Sequence, residues 1–329
     1  MALPSFLGSL SNYENYDATR HIGTVFSDKS VQLSQLLSGP SSDQVIKDLA
    51  TLISHRGVVF FKDQDLTIEQ QRQLGTRLGE LSGKPETSKL HRHPLTPDDA
   101  PNGTDITLIS SAQRGEYPQE PRRASNGWHS DITFEPVPSD YAILRIRTLP
   151  PGGTGGDTVW ASAYEAYDKL SPAYQKFLEG LTAVHSAEYF KQILKARGKT
   201  VPEGPRGAPL NVGGELTAVH PVIRTNPVTG FKGLFVNKGF TRRIVELTPD
   251  ESDNLLEYLF RHISENHDLQ VRYRWGKNDV AIWDNRSTFH NITTDYEGLR
   301  EGDRVVSLGE KPYFDPNSKS RRETLGLKV

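Results

Sequence analysis

A chain of 329 residues with 35% apolar and 24% charged side chains can bury a sizeable core, which argues against wholesale disorder. Its net charge of −2, without a long basic run, argues against nucleic acid or an anionic membrane as the main partner. There is no cysteine, which excludes disulfides, thiolate nucleophiles and cysteine-ligated metals, so any metal site must use His, Asp or Glu.

The N-terminus has neither the charged start nor the apolar stretch of a signal peptide, and no apolar run approaches the ~18 residues of a membrane span. A cytoplasmic protein is expected. Residues 1–40 are polar, with Gly and Ser, and read as an extended N-terminal arm; residues 41–329 read as a single domain. From Ser42, apolar Val45, Leu49, Leu52 and Ile53 recur at helical spacing, and "VVFF" at 58–61 is a buried strand. Thr67, with Gln70 three residues on, forms a capping box that opens a helix ending near Gly79. Residues 82–126, rich in Pro, Gly, Asp and Ser around "DITLIS", predict long loops able to serve as a lid.

Strands are expected at "DITF" (131–134) and "YAILRIRTL" (141–149), with "GGTGGDTVW" as a glycine-rich bend into another. Two helices follow, the second opened by Ser171 and Pro172. Residues 196–215 are a Gly/Pro-rich loop, and "GLFVN" is a strand. Thr248, Pro249 and Glu251 then start a capped helix. "VRYRW", "DVAIWDN" and "RVVSLGE" complete a strand-rich last third. The fold class is mainly β with flanking helices, a sandwich or barrel with helices packed outside.

His129 and Asp131 lie two apart, so on a strand both would project from one face. Two imidazoles and a carboxylate on one side of a metal leave open coordination positions for oxygen chemistry. A capped strand end explains the same pair without a metal. Among the other histidines His290 is the best third ligand, because "DVAIWDNRSTFHN" carries it out of an apolar strand through turn chemistry; the plain exit of a β-turn is the alternative. Arg300 and Arg304 follow, four apart and so on one face. Paired guanidinium groups near a metal suit a dicarboxylate that chelates the metal and meets arginine at its far end. Solvated charges on a terminal strand would look the same.

Together, "WHSDITF", "GGDTVWAS", "WDNRSTFHNITTDY" and "RVVSLGEKP", in this order, resemble the taurine dioxygenase-like (TauD/TfdA) family of Fe(II)/2-oxoglutarate-dependent oxygenases over residues 40 to 315. "HPVIRTNPVTG" and "LFVNKGFTRRI" are similar to the family too, without chemistry of their own. The resemblance implies a double-stranded β-helix (jelly roll, cupin-like) core, with Fe(II) on His129, Asp131 and His290 and the distal carboxylate of 2-oxoglutarate on Thr158 and Arg300. It implies oxidation of a C–H bond by O₂, with release of succinate and CO₂, and Arg304 facing the anionic group of the substrate. A sulfonate, sulfate ester, carboxylate or amino acid would fit, and a homodimer or homotetramer is the implied assembly. One departure concerns a histidine that sulfonate-specific relatives carry after the second helix. Counting from Gly79 without a gap puts Lys84 there, whereas an insertion would bring His93 of "LHRHP". A metal-dependent hydrolase on the same ligands, or a non-catalytic binding protein on the same scaffold, are the competing readings.

Overall fold

The computed structural model describes residues 5–112 and 123–327. In its first part, β1 (Asn15–Asp17) and β2 (Thr24–Phe26) precede α1 (Leu33–Ser38), α2 (Ser42–Arg56), β3 (Val58–Phe61), α3 (Ile68–Leu81) and β4 (Ile106–Ser110). The middle holds β5 (Ser139–Thr148), β6 (Thr158–Ser162), α4 (Ala163–Asp168), α5 (Pro172–Leu178), β7 (Thr182–Ser186), α6 (Glu188–Ala196), β8 (Thr217–Pro221) and β9 (Ile223–Thr225). Then come β10 (Lys232–Leu234), β11 (Thr241–Ile244), α7 (Pro249–Ser264), β12 (Gln270–Tyr273), β13 (Val280–Asp284), β14 (Thr288–Ile292), β15 (Glu301–Leu308) and α8 (Arg321–Leu325). No helix among the described residues is long and apolar enough to cross a membrane.

A seven-stranded sheet runs β1-β2-β3-β13-β5-β15-β4, antiparallel except where β2 lies parallel to β3. Opposite it stands the three-stranded sheet β12-β6-β14, and β11-β7-β8 and β10-β9 extend the smaller side. This is the jelly roll. Between the two sheets Phe60, Leu144, Trp283 and Val306 pack against Trp160, Tyr273 and Trp275. On the outer face of the large sheet, Leu49, Leu52, Leu74 and Leu78 of α2 and α3 cover Phe61, Ile143 and Ile282. Leu255 and Leu259 of α7 cover Ala161 and Phe289 on the other side. Period-two alternation along each strand produces this division, because successive side chains enter opposite layers.

Both predicted capping boxes form, at Thr67 with Gln70 and at Thr248 with Glu251. Two expectations are corrected. Residues 5–40 do not extend away: Leu10, Phe26 and Leu33 are buried, and β2 joins the large sheet. The cause is distant, since the buried Arg56 guanidinium donates to the carbonyls of Thr19, Arg20 and Gly23 and pairs with Asp17. "DITF" is not a strand either. Residues 131–134 form turns, with Ile132 at φ +64° and Glu135 N–H returning to the Ile132 carbonyl. In the expected lid, β4 is the edge strand of the large sheet and Leu90 bridges Ser307, while residues 113–122 lie outside the described residues.

Candidate metal centre

His129 and His290 face each other across an isolated antiparallel bridge, exchanging backbone hydrogen bonds of 3.0 and 2.7 Å. Residues directly opposite in such a pair project to the same side, and the two imidazoles lie 4.2 Å apart between centroids. The chain then turns so that Asp131 Oδ1 sits 3.8 Å from His129 Nε2 and 3.8 Å from His290 Nε2. Ligand atoms of all three fall within 4.8 Å of one another, so one cation can reach every one of them.

The surroundings fix these groups. His129 Nδ1–H donates to the Gly127 carbonyl at 2.8 Å, which leaves Nε2 as the free lone pair. Asp131 N–H donates to Asn285 Oδ1 at 2.9 Å, and Asn285 is held in turn by Ser139 Oγ and Trp283 Nε1. Arg304 Nη1 donates to Asp131 Oδ1 at 2.8 Å. Burial alone would raise the Asp131 pKa, but Arg304, His290 and His129 outweigh it and hold the carboxyl down at about 2. Burial lowers both ligand histidines, His290 to about 3. At neutral pH the set is therefore two neutral imidazoles and one carboxylate, which is the donor chemistry of a non-haem Fe(II) site. His129 keeps 29% of its side chain exposed while Asp131 keeps 4%, so the site opens on the His129 side.

Further along the interior lies a second cationic end. Thr158, on the strand paired with His290's, accepts a hydrogen bond from Trp275 Nε1 at 3.0 Å. The Arg300 guanidinium lies 5.9 Å from the Trp275 ring centroid. Gly156, at φ +67°, is required there, because a Cβ would come within 2.7 Å of the Arg300 side chain. Arg300, just before β15, lies beside Trp275, and Arg304, on β15, bonds Asp131, so both guanidinium groups face the interior.

Lys84 and His93 are separated by that same strand. Lys84 Nζ donates to Ser307 Oγ at 3.0 Å and faces Asp140, on the layer where Val305 meets Gly75 of α3. Burial lowers its pKa. His93 is on the metal side, where burial and then Arg304 hold its imidazole well below its usual pKa, with Asp131 opposing. Its ring meets Phe190 edge-on at 4.9 Å. Sequence reasoning gave no site role to Asn285 or Trp275, although both lie within quoted stretches. It also missed Glu135, which lies 3.6 Å from His91 and holds Arg206 through both carboxylate oxygens.

The family model for the taurine catabolism dioxygenase TauD, TfdA family matches residues 14–306. An alpha-ketoglutarate-dependent dioxygenase of Neocamarosporium betae is 47% identical, over 96% of this chain and 96% of its own. Another, of Penicillium shearii, is 42% identical over 97% and 95%. The crystal structure of a putative alpha-ketoglutarate-dependent taurine dioxygenase from Burkholderia xenovorans superposes with a TM-score of 0.71, at 30% identity and covering 93% of this chain and 92% of that one. The match spans the ligand bridge, the Thr158 strand, Arg300 and Arg304, and the chain belongs to the TauD/TfdA dioxygenase family.

Proposed function

We propose that this 2-oxoglutarate-dependent dioxygenase oxidises a C–H bond of a small anionic organic molecule, a sulfonate, sulfate ester, carboxylate or amino acid. The observation that carries the reading is the order of groups along one interior face: Arg300 with Thr158 and Trp275 at one end, His129, Asp131 and His290 in the middle, and Arg304 with His93 beyond. Fe(II) on the three ligands, with 2-oxoglutarate and O₂, supplies the oxidising chemistry and leaves succinate and CO₂. His129 Nε2, His290 Nε2 and the Asp131 carboxylate would hold the ion.

The chain's own residues divide the remaining work. Arg300 and the Thr158 hydroxyl would bind the distal carboxylate of 2-oxoglutarate, with the Trp275 indole fixing the hydroxyl rotor. Arg304 would meet the anionic group of the substrate. His93, neutral in this setting, would add a hydrogen bond without a charge. We read residues 82–126, apart from β4 in the large sheet, as the lid, because the part before β4 delivers His93 to the interior. A hydrolase on the same ligands has no use for a second cationic end.

The test is anaerobic addition of Fe(II) and 2-oxoglutarate, followed, once O₂ is admitted, by succinate assays over a panel of sulfonates, sulfate esters, carboxylates and amino acids and their neutral ester or amide counterparts. A weak visible charge-transfer band and substrate-dependent succinate are expected. Correctly metallated protein that shows no band, or turnover confined to neutral compounds, would overturn the reading.

A further inference from the structure

The two family-like stretches without chemistry of their own, at 220–230 and 234–244, converge on the turn that carries Asp131. The turn needs holding. Ile132 sits at φ +64°, a region that β-branched residues avoid, immediately after the ligand. From β8, His220 Nε2 lies 2.9 Å from the Thr133 carbonyl and 3.1 Å from the Glu135 carbonyl. Both partners are acceptors, so Nε2 carries the proton and one N–H serves two carbonyls.

From the other stretch, Asn237 Nδ2 donates to Thr133 Oγ1 at 3.2 Å, and His185 Nδ1 lies 3.0 Å from the same hydroxyl. Asn237 is itself locked: its N–H reaches Thr241 Oγ1 and its Oδ1 accepts from Phe240 N–H, each at 2.9 Å. The same short turn grips the other flank of the ligand segment. Gly239 N–H donates to the Trp128 carbonyl at 3.0 Å, and a Cβ there would come within 2.9 Å of His129 Cβ. Thr133, His185, Asn237 and His220 are all buried. A purely apolar core could fill this space; polar groups aimed at the backbone on either side of the ligands do something more specific.

We infer that His220 and Asn237, acting through Thr133, are positioning residues that aim the Asp131 carboxylate and thereby set the metal affinity of the site. This rests on the reading of His129, Asp131 and His290 as ligands. Neither residue touches the ion.

The experiment titrates the metal-free 329-residue chain with Mn(II), reading free Mn(II) by electron paramagnetic resonance, and records the Tm of each metal-free variant. Thr133→Val removes the hydroxyl at nearly constant shape and is expected to weaken Mn(II) binding about 10- to 100-fold, the usual effect of losing an outer partner of a ligand. Thr133→Ser, which keeps the hydroxyl, is expected to bind within about threefold of wild type. A merely structural role would lower Tm and leave the affinity of the folded protein unchanged. If Thr133→Val does not fold, His220→Gln, which retains an N–H for one carbonyl, carries the test, with weakened binding again expected. Wild-type affinity in the folded variants overturns the clamp alone. Wild-type protein that fails to bind Mn(II) overturns the ligand assignment, and the clamp with it.

Discussion

Replacing Arg304 by leucine removes the one cation hydrogen-bonded to the Asp131 carboxylate among the described residues. In the wild type the carboxyl is lowered from 3.8 to about 2 against the opposing effect of burial. At ~1.4 kcal/mol per pH unit, that shift is worth about 2 kcal/mol to the folded state. Breaking a buried pair by removing one partner costs about 3–5 kcal/mol, because a buried charge is left behind. Arg304 retains 13% of its side-chain exposure, so the low end applies. With an unfolding entropy of roughly 2 cal/mol/K per residue, a loss of about 3 kcal/mol lowers Tm by about 4 °C.

The pH dependence gives the sign. Wild-type Asp131 has a depressed folded-state pKa, so its contribution is present above 3.8 and is lost as pH falls towards about 2. Without Arg304 the largest opposing charge is gone, so the folded-state pKa of Asp131 rises and the variant takes up that proton at a higher pH than wild type. Arg304 also lowers His129 and His290, and without it they take up protons more readily beside Asp131. All three effects narrow the gap on acidification. Thermal melts of the metal-free pair between pH 8 and pH 4 should therefore show the full deficit at pH 8 and a smaller one at pH 4. Equal Tm values at pH 8, or a gap that widens on acidification, would refute the electrostatic account.

Asp131→Ala should abolish both Mn(II) binding in the titration and succinate formation; retained turnover would mean that the carboxylate is not a ligand. Trp275→Phe removes the indole N–H held by Thr158. It should raise the KM for 2-oxoglutarate about fivefold, a net hydrogen bond of ~1 kcal/mol, and leave the KM for the primary substrate within about twofold. His93→Ala should raise the primary-substrate KM by more than Lys84→Met does, because Lys84 bonds Ser307 on the opposite layer of β15; steady-state kinetics with one active substrate decides between them. Thr248→Ala should cost about 1 kcal/mol in denaturant unfolding through loss of the α7 capping box, with both KM values unchanged.

Local signals read well. The capping boxes, the apolar run of β3 and the strands carrying His290 and Arg304 stand where spacing and composition put them, because each depends on residues close in sequence. The failures share a cause. β2 is docked by Arg56, and the turn at Ile132 by His220 and Asn237, partners far along the chain that no window of the sequence contains. "DITF" has β-propensity, and tertiary hydrogen bonds override it. His129 and Asp131 thus come together through a bridge and a turn, although the reason offered from spacing was a shared strand face.

Lys84 and His93 fall on opposite sides of β15 for a similar reason. Gap-free counting from Gly79 treats the loop as a spacer of fixed length. The chain instead returns to the sheet at Leu90, which bridges Ser307, and His91 N–H bonds the Val306 carbonyl. That return carries the next residues over the interior, towards Arg304.

The register of β15 ties both ends of the site together. Its interior face carries Arg304, Val306 and Leu308, while Val305 and Ser307 meet α3 and Lys84. A slip of one residue would exchange these sets, withdrawing Arg304 from Asp131 and presenting Asp303, whose partner is now Arg147, to an anionic substrate. Gly302 helps to hold the register, since a Cβ there would come within 2.4 Å of the Arg145 carbonyl oxygen on β5. Arg300 immediately precedes β15, and the pairing with β5 shifts between Glu301 and Gly302, so the two arginines are set by that irregularity together with the register that follows it. Arg300 lies beside Trp275 just before the strand, and Arg304 reaches Asp131 only while β15 keeps its register.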